Sequence, residues 1–181
     1  VTAVSEAWGA DRLEDEGFSS MYYMMGQGGG NALDRVGFAY YDVNYDGVEE
    51  LLIGEIAEGD WKGTVYDVCT MVDRAPEHVV SGWDRNRYYA LEGGMLVREW
   101  SDSAMESGWD ICDIEPNTTN LLDQVQLKID SRENEEQPWS VSYDDGETWE
   151  SMTEEEFEER RSNFKDYVRF DFTPLSAFAA G

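Results

Sequence analysis

From Val36 onward, apolar and polar positions alternate with a period of two, the spacing of a strand whose side chains point to opposite faces. The runs VGFAYYDV, EELLIGEI, TVYDVCTMV, NRYYAL, MLVREW, SGWDICDIE and LLDQVQLKID are short and rich in β-branched and aromatic residues, as strands are. Turn chemistry separates them at Asp60–Gly63, Ser81–Gly82, Glu92–Gly94 and Glu115–Asn117. Leu91 and Met95 bracket a Glu-Gly-Gly turn, which predicts a hairpin between YYAL and MLVREW. Asp145–Gly146 predicts a tight turn inside WSVSYDDGETWESM, because that pair accepts the positive φ angles such turns need.

Helical spacing appears only near the two ends. SEAWGADRLEDEGFSSMYYMM reads as helical in part: Ser5 is a candidate N-cap, and Ala7, Trp8, Leu13 and Phe18 fall loosely on one face. The glycine-rich GQGGG that follows ends the segment and reads as a connector. It is no phosphate loop, since no strand precedes it and no Gly-Lys-Ser/Thr closes it. The late segment EEEFEERRSNFKDY is the stronger helix. Thr153 and Glu156 form a capping box, and three glutamates occupy the first turn, where the helix dipole favours them. Phe157, Arg161, Phe164 and Val168 lie on related turns, with Lys165 near the end. Pro174 keeps RFDFTPLSAF extended. These elements predict one α+β domain over residues 1–181, mainly an antiparallel sheet of about seven to nine strands. The expected order is a helical segment and connector over 1–30, the sheet over 36–152, a helix over 153–167 and an extended tail over 168–181.

Composition narrows the function. The chain carries 13 Lys+Arg against 40 Asp+Glu, a net charge of −27, which opposes binding to nucleic acid or an anionic membrane surface. An apolar fraction of 41% with 13% aromatics is too high for a disordered acidic chain. No run approaches the roughly 18 apolar residues of a membrane helix. No n-region and h-region open the chain, so an export signal or anchor is expected outside these residues. Cys69 and Cys112, both in strand-like runs that are candidates for sheet neighbours, are either buried free thiols or one structural disulfide.

The sharpest chemical feature lies between the first two strands. In Asp42-Val43-Asn44-Tyr45-Asp46-Gly47-Val48-Glu49-Glu50, side-chain oxygens fall at relative positions 1, 3 and 5, glycine at 6 and a carboxylate at 9. Ca²⁺ takes six to eight oxygens at about 2.3–2.6 Å in a flexible shell. Alternate positions aim Asp42, Asn44 and Asp46 into one concavity, Gly47 permits the sharp turn, the Val48 carbonyl faces inward, and Glu50 closes the shell. The loop is not an EF-hand: Ile53 stands at relative position 12, and strands flank the loop where an EF-hand has helices. Zn²⁺ is poorly served without imidazole or thiolate ligands, and Mg²⁺ prefers to keep its waters. With no base beside it, the expected ion is structural.

The stretch from Phe38 to Gly54, with its Asp-rich turn, Asp-Gly pair and following Glu-Leu-Leu-Ile, resembles uncharacterised exported proteins and lipoproteins of Gram-positive bacteria. The likeness continues through TVYDVCTMV, RNRYYALEGGMLVREWS, SYDDGETWESMTEEEFE and FTPLSAF, roughly residues 36–178. This chain has Asn44 and Tyr45 where that group more often has Asp and then Gly or Asn, which weakens the cation affinity the resemblance implies. The resemblance implies a secreted or cell-envelope location and carries no enzymatic activity. Such a location favours the Cys69–Cys112 bridge.

Seven Trp and ten Tyr make the chain rich in flat apolar faces, on which sugars stack. Trp61, Trp83, Trp100 and Trp109 are candidates, and Trp61 and Trp83, beside Asp60 and Asp84 in turn-like sequence, are the two expected to be exposed. Arg85 and Arg87 stand out in so acidic a chain, as partners for carboxylates or receivers of an anionic ligand. His78 is the sole imidazole, and no Gly-x-Ser-x-Gly elbow accompanies it. The function expected is therefore a non-enzymatic exported binding or structural domain stabilised by Ca²⁺. Two other readings are a carbohydrate-binding module or glycoside hydrolase, and an acidic inhibitor or decoy for a basic protein.

Overall fold

The period-two runs pair into one antiparallel sheet. A computed structural model describes residues 15, 17–26 and 32–177. The strands are β1 (Val36–Tyr41), β2 (Glu50–Glu55), β3 (Val65–Val72), β4 (Ala75–Ser81), β5 (Asn86–Ala90), β6 (Leu96–Ser101), β7 (Glu106–Ile114), β8 (Leu121–Asp130), β9 (Trp139–Ser142), β10 (Glu150–Ser151) and β11 (Thr173–Pro174). Their order is β10-β9-β8-β7-β6-β5-β3-β2-β1-β11, with β4 paired to β3. Two helices accompany the sheet, α1 (Met21–Gly26) and α2 (Glu154–Ser162). The expectations for Ser5, Ala7, Trp8, Leu13 and most of the glycine connector lie outside the described residues.

The 11 strands exceed the expected number through β4 and β11. Both contain proline, Pro76 and Pro174, which cannot donate to a ladder and so disguises a strand in the sequence. β4 follows β3 through a two-residue turn, Asp73–Arg74, closed by the Val72–Ala75 pair. Both turn residues are left-handed, at φ 50° and 71°. Arginine gains nothing in that conformation and crowds its own backbone there. Arg74→Gly is therefore expected to raise stability by about 0.5–1 kcal/mol, read as a higher urea midpoint at unchanged slope; a lower midpoint contradicts the strain.

Alternation assigns each side chain to a face, and the sheet bends back on itself so that one face is internal. Tyr41 Oη donates to Leu91 O (3.2 Å), Met95 N–H to Val43 O (2.6 Å) and Asn44 Nδ2 to Ile114 O (2.9 Å), which ties the β1–β2 end to β5–β7. Between the two halves sit Val43, Leu52, Val68, Tyr88, Ala90, Leu96 and Ile114. Their neighbours in sequence point outward. Ile53 and Tyr66 pack with Tyr22 of α1 and Leu175, while Val97 and Ile111 pack with Phe164 and Tyr167 after α2. Register shifts at Ile53/Gly54, Val68/Cys69 and Ile111/Cys112 accentuate the bend.

The capping box of α2 forms as expected: Thr153 Oγ1 accepts from Glu156 N–H (3.3 Å), and Glu156 Oε2 accepts from Thr153 N–H (2.8 Å). The helix ends at Ser162, five residues short of the expected 167. Sheet pairing takes over there: Tyr167 bridges Leu91, Val168 N–H donates to Ala90 O (2.8 Å), and Glu92 N–H donates to Asp166 O (2.9 Å). The β9–β10 connection is likewise wider than a tight turn, spanning 143–149. Asp145 and Gly146 are left-handed as expected, but Asp144 accepts from both Thr148 N–H (2.8 Å) and Thr148 Oγ1 (2.6 Å) and so opens the loop.

Cys69 on β3 and Cys112 on β7 are free thiols, and β5 and β6 lie between their strands. The expectation of adjacent strands is corrected by this order. Three inter-strand steps of about 4.8 Å exceed the roughly 7 Å that a disulfide spans between Cα atoms. Burial pushes the Cys69 thiol up to about 11, and burial, with Asp123 beside it, pushes Cys112 higher still, so both stay protonated at neutral pH.

Candidate functional site

The β1–β2 loop wraps backbone N–H groups with its own side chains. Asp42 Oδ1 and Asn44 Oδ1 both accept from Asp46 N–H (3.1 and 3.2 Å), Asp42 Oδ2 accepts from Gly47 N–H (3.0 Å), and Asp46 Oδ1 accepts from Val48 N–H (2.8 Å). Tyr45 and Gly47 adopt left-handed φ angles of 55° and 89°, and glycine alone does so without strain. Oxygens of Asp42 and Asn44 thus converge within reach of one hydrogen. Glu50 behaves differently: it is fully buried, and its two oxygens accept from Val43 N–H (2.9 Å) and Thr70 Oγ1 (2.9 Å). Burial raises its pKa, with the charges of Asp46 and Asp42 adding to the shift and the two hydrogen bonds opposing it. Val48 stands exposed at the loop tip. Among the described residues, no three His, Cys, Asp or Glu side chains gather into a metal-binding group.

A second constellation lies on the outer face of β5 and β6. A cleft of about 420 Å³ is lined by Asp60, Trp61, Arg87, Tyr89, Glu99, Arg161, Lys165, Tyr167 and Arg169. The Arg87 guanidinium sits 4.2 Å from the Trp61 ring centroid, and Trp61 is 49% exposed. Arg87 faces Glu99 across the β5–β6 ladder. Glu99 Oε1, however, accepts from Tyr167 Oη (2.8 Å) and Trp109 Nε1 (3.2 Å), and no carboxylate among the described residues pairs with Arg87. Tyr89 and Tyr167 stack at 4.6 Å with 10° between their planes. Arg161 lies 4.0 Å over Trp109, and Arg169 Nη1 donates to Asp60 O (2.9 Å) and Lys62 O (2.7 Å). The Nε atoms of Arg87 and Arg161 are buried without hydrogen-bond partners. Burial and the Glu99 charge hold the Tyr167 phenol well above its usual range, so it stays a donor.

The four residues singled out as ligand candidates therefore separate. Trp61 and Arg87 meet in this cleft, whereas Trp83, 50% exposed, and Arg85 line a smaller hollow of about 170 Å³ with Arg98 and Trp100. Trp109 stands beneath Arg161. The sequence reading does not single out Tyr89, Tyr167 and Arg169, gives Arg161 and Lys165 only as helix positions, and has nothing to set Glu99 apart from the other acids. A signal was present: Arg160, Arg161, Lys165 and Arg169, four of the 13 Lys+Arg, crowd into one ten-residue stretch.

His78, Asp67 and Ser81 also come together. Nε2 of His78 is 2.8 Å from Asp67 Oδ1 and 3.3 Å from Ser81 Oγ, and that hydroxyl is itself 2.5 Å from Asp67 Oδ1. A proton relay needs serine and aspartate on opposite ring nitrogens. Here both meet the same nitrogen and each other, so the cluster ties elements together. Comparison with protein-family models, with curated proteins and with solved structures gave no match.

Proposed function

We propose that the protein is an exported, non-enzymatic binding domain whose fold is held by one structural Ca²⁺ in the Asp42–Glu50 loop. The observation that carries the reading is the convergence of Asp42 and Asn44 oxygens on the Asp46 N–H, with Asp46 and a left-handed Gly47 next in line. A cation would be held by side chains of Asp42, Asn44 and Asp46 and the Val48 carbonyl. Glu50 joins the shell by exchanging its bond to Val43 or Thr70. The ion neutralises carboxylates that otherwise repel one another across a few ångströms. Five protein ligands of mixed charge suit the weak sites of extracellular modules, which bind at about 10⁻⁴–10⁻³ M. That scale agrees with the export implied by the resemblance.

Because Val43 and Asn44 contact Met95 and Ile114, ordering this loop also fixes the bend of the sheet. Calcium at about 100 times its dissociation constant adds ~2.7 kcal/mol. Removing it with EDTA is expected to lower the thermal midpoint by about 5–10 °C, and calcium, not magnesium, to restore it. A midpoint indifferent to chelator and calcium refutes the proposal.

A further inference from the structure

In a chain of net charge −27, the cleft between β5, β6 and the segment after α2 gathers four cations, Arg87, Arg161, Lys165 and Arg169. The lining carboxylates are Asp60 and Glu99. Arg161 and Lys165 share one further carboxylate, Glu158, at 3.2 and 3.4 Å. Counting all three acids, the cleft keeps one excess positive charge, and Arg87 has no carboxylate partner, because its cross-strand Glu99 is already occupied by a phenol and an indole. Two backbone carbonyls hold Arg169 in place without neutralising it. Guanidinium forks in such positions match the paired oxygens of an oxyanion. One face of Trp61 carries Arg87, and half of that residue stays open to solvent.

We propose that this cleft binds the acidic unit of a saccharide, a sugar ring carrying a single carboxylate or sulfate. The oxyanion is received by Arg87 with Arg161 and Lys165, and the ring's C–H face lies against Trp61. A singly charged group matches the one unbalanced cation, whereas a phosphate ester at about −1.5 to −2 over-fills it. Hydroxyl groups distinguish the sugar from a bare anion, because Asp60 and Glu99 accept from hydroxyls and repel further negative charge. The volume of about 420 Å³ lies at the small end of ligand sites, the size for one or two rings. This deepens the binding-domain reading by naming the ligand class, and it does not involve the calcium loop.

The test titrates the calcium-loaded protein, by tryptophan fluorescence and calorimetry, with a uronic-acid disaccharide, a sulfated disaccharide, a neutral disaccharide of the same linkage and inorganic sulfate. Saturable binding of one acidic disaccharide, with the neutral one about tenfold weaker or more, is expected, and whichever acid binds identifies the oxyanion. Arg87→Gln should weaken it about ten- to hundredfold at an unchanged melting point, while Glu158→Gln leaves or tightens it. Equal binding of the neutral sugar, inorganic sulfate binding as tightly as the disaccharides, an unaffected Arg87→Gln, or no binding of either acidic sugar overturns the assignment. None of these results alters the response to EDTA, so the two proposals fail separately.

Discussion

Asp67→Ala is expected to cost about 3–5 kcal/mol and to lower the thermal midpoint by about 10 °C or more. Asp67 is fully buried on β3. Its Oδ2 accepts from Ser19 N–H (3.1 Å) and Tyr22 Oη, and its Oδ1 faces His78 Nε2 (2.8 Å) and Ser81 Oγ (2.5 Å). Alanine removes all four contacts at once; Tyr22 Oη and Ser81 Oγ keep the Ile53 and Gly17 carbonyls as acceptors (3.3 and 2.6 Å), but Ser19 N–H is left unpaired, and a buried donor left unpaired loses far more than one ordinary hydrogen bond contributes. Asp67→Asn separates geometry from charge. Its oxygen serves Ser19 and Tyr22, and its amide donates to His78 or Ser81, so it should recover more than half of the loss. Tyr22 belongs to α1, so the alanine variant should also lose helix α1 from the sheet, seen as faster amide exchange at Ser19–Tyr22. An alanine variant that melts with the parent shows that the network holds nothing.

Gly54→Ala should be nearly as damaging, at about 3 kcal/mol. A Cβ at this position would stand 2.0 Å from the Thr64 carbonyl oxygen and 3.1 Å from Phe172 Cζ. The first contact is backbone, so no side-chain rotation relieves it; β2 and β3 must part where their register shifts between Ile53 and Gly54. Differential scanning calorimetry gives the answer directly. A change of less than about 2 °C means the strands do not approach this closely.

The sheet was legible because its strands are outlined by β-branched and aromatic residues between turn-formers, and nine of the 11 strands follow those runs. The other two escaped for a chemical reason: Pro76 and Pro174 have no N–H to donate to the partner strand, so the sequence reads there as a break. The end of α2 escaped because Phe164 and Val168 keep helical spacing while Tyr167 and Val168 pair with Leu91 and Ala90, and tertiary pairing outweighed local propensity. Trp61 and Trp83 are exposed, as their acidic turn neighbours implied. What no local pattern contains is the meeting of Trp61 and Arg87 with Tyr167 and Arg169, since it depends on which strands become neighbours. The Asp67–His78–Ser81 cluster is equally invisible, because the β3–β4 register shift at Val68/Cys69 decides its alignment.

β1 lies between β2, its immediate successor in the chain, and β11, which arrives last through the Gly37–Pro174 and Phe38–Thr173 pairs. A growing polypeptide therefore presents the edge of β1 bare until residues 173–174 emerge, and that edge is an open template for another strand. Closure is a late, long-range event, of the kind that makes assembly slow. Chains released before residues 173–174 would be prone to self-association through VGFAYY, while in the folded protein β11 covers that edge at Gly37 and Phe38.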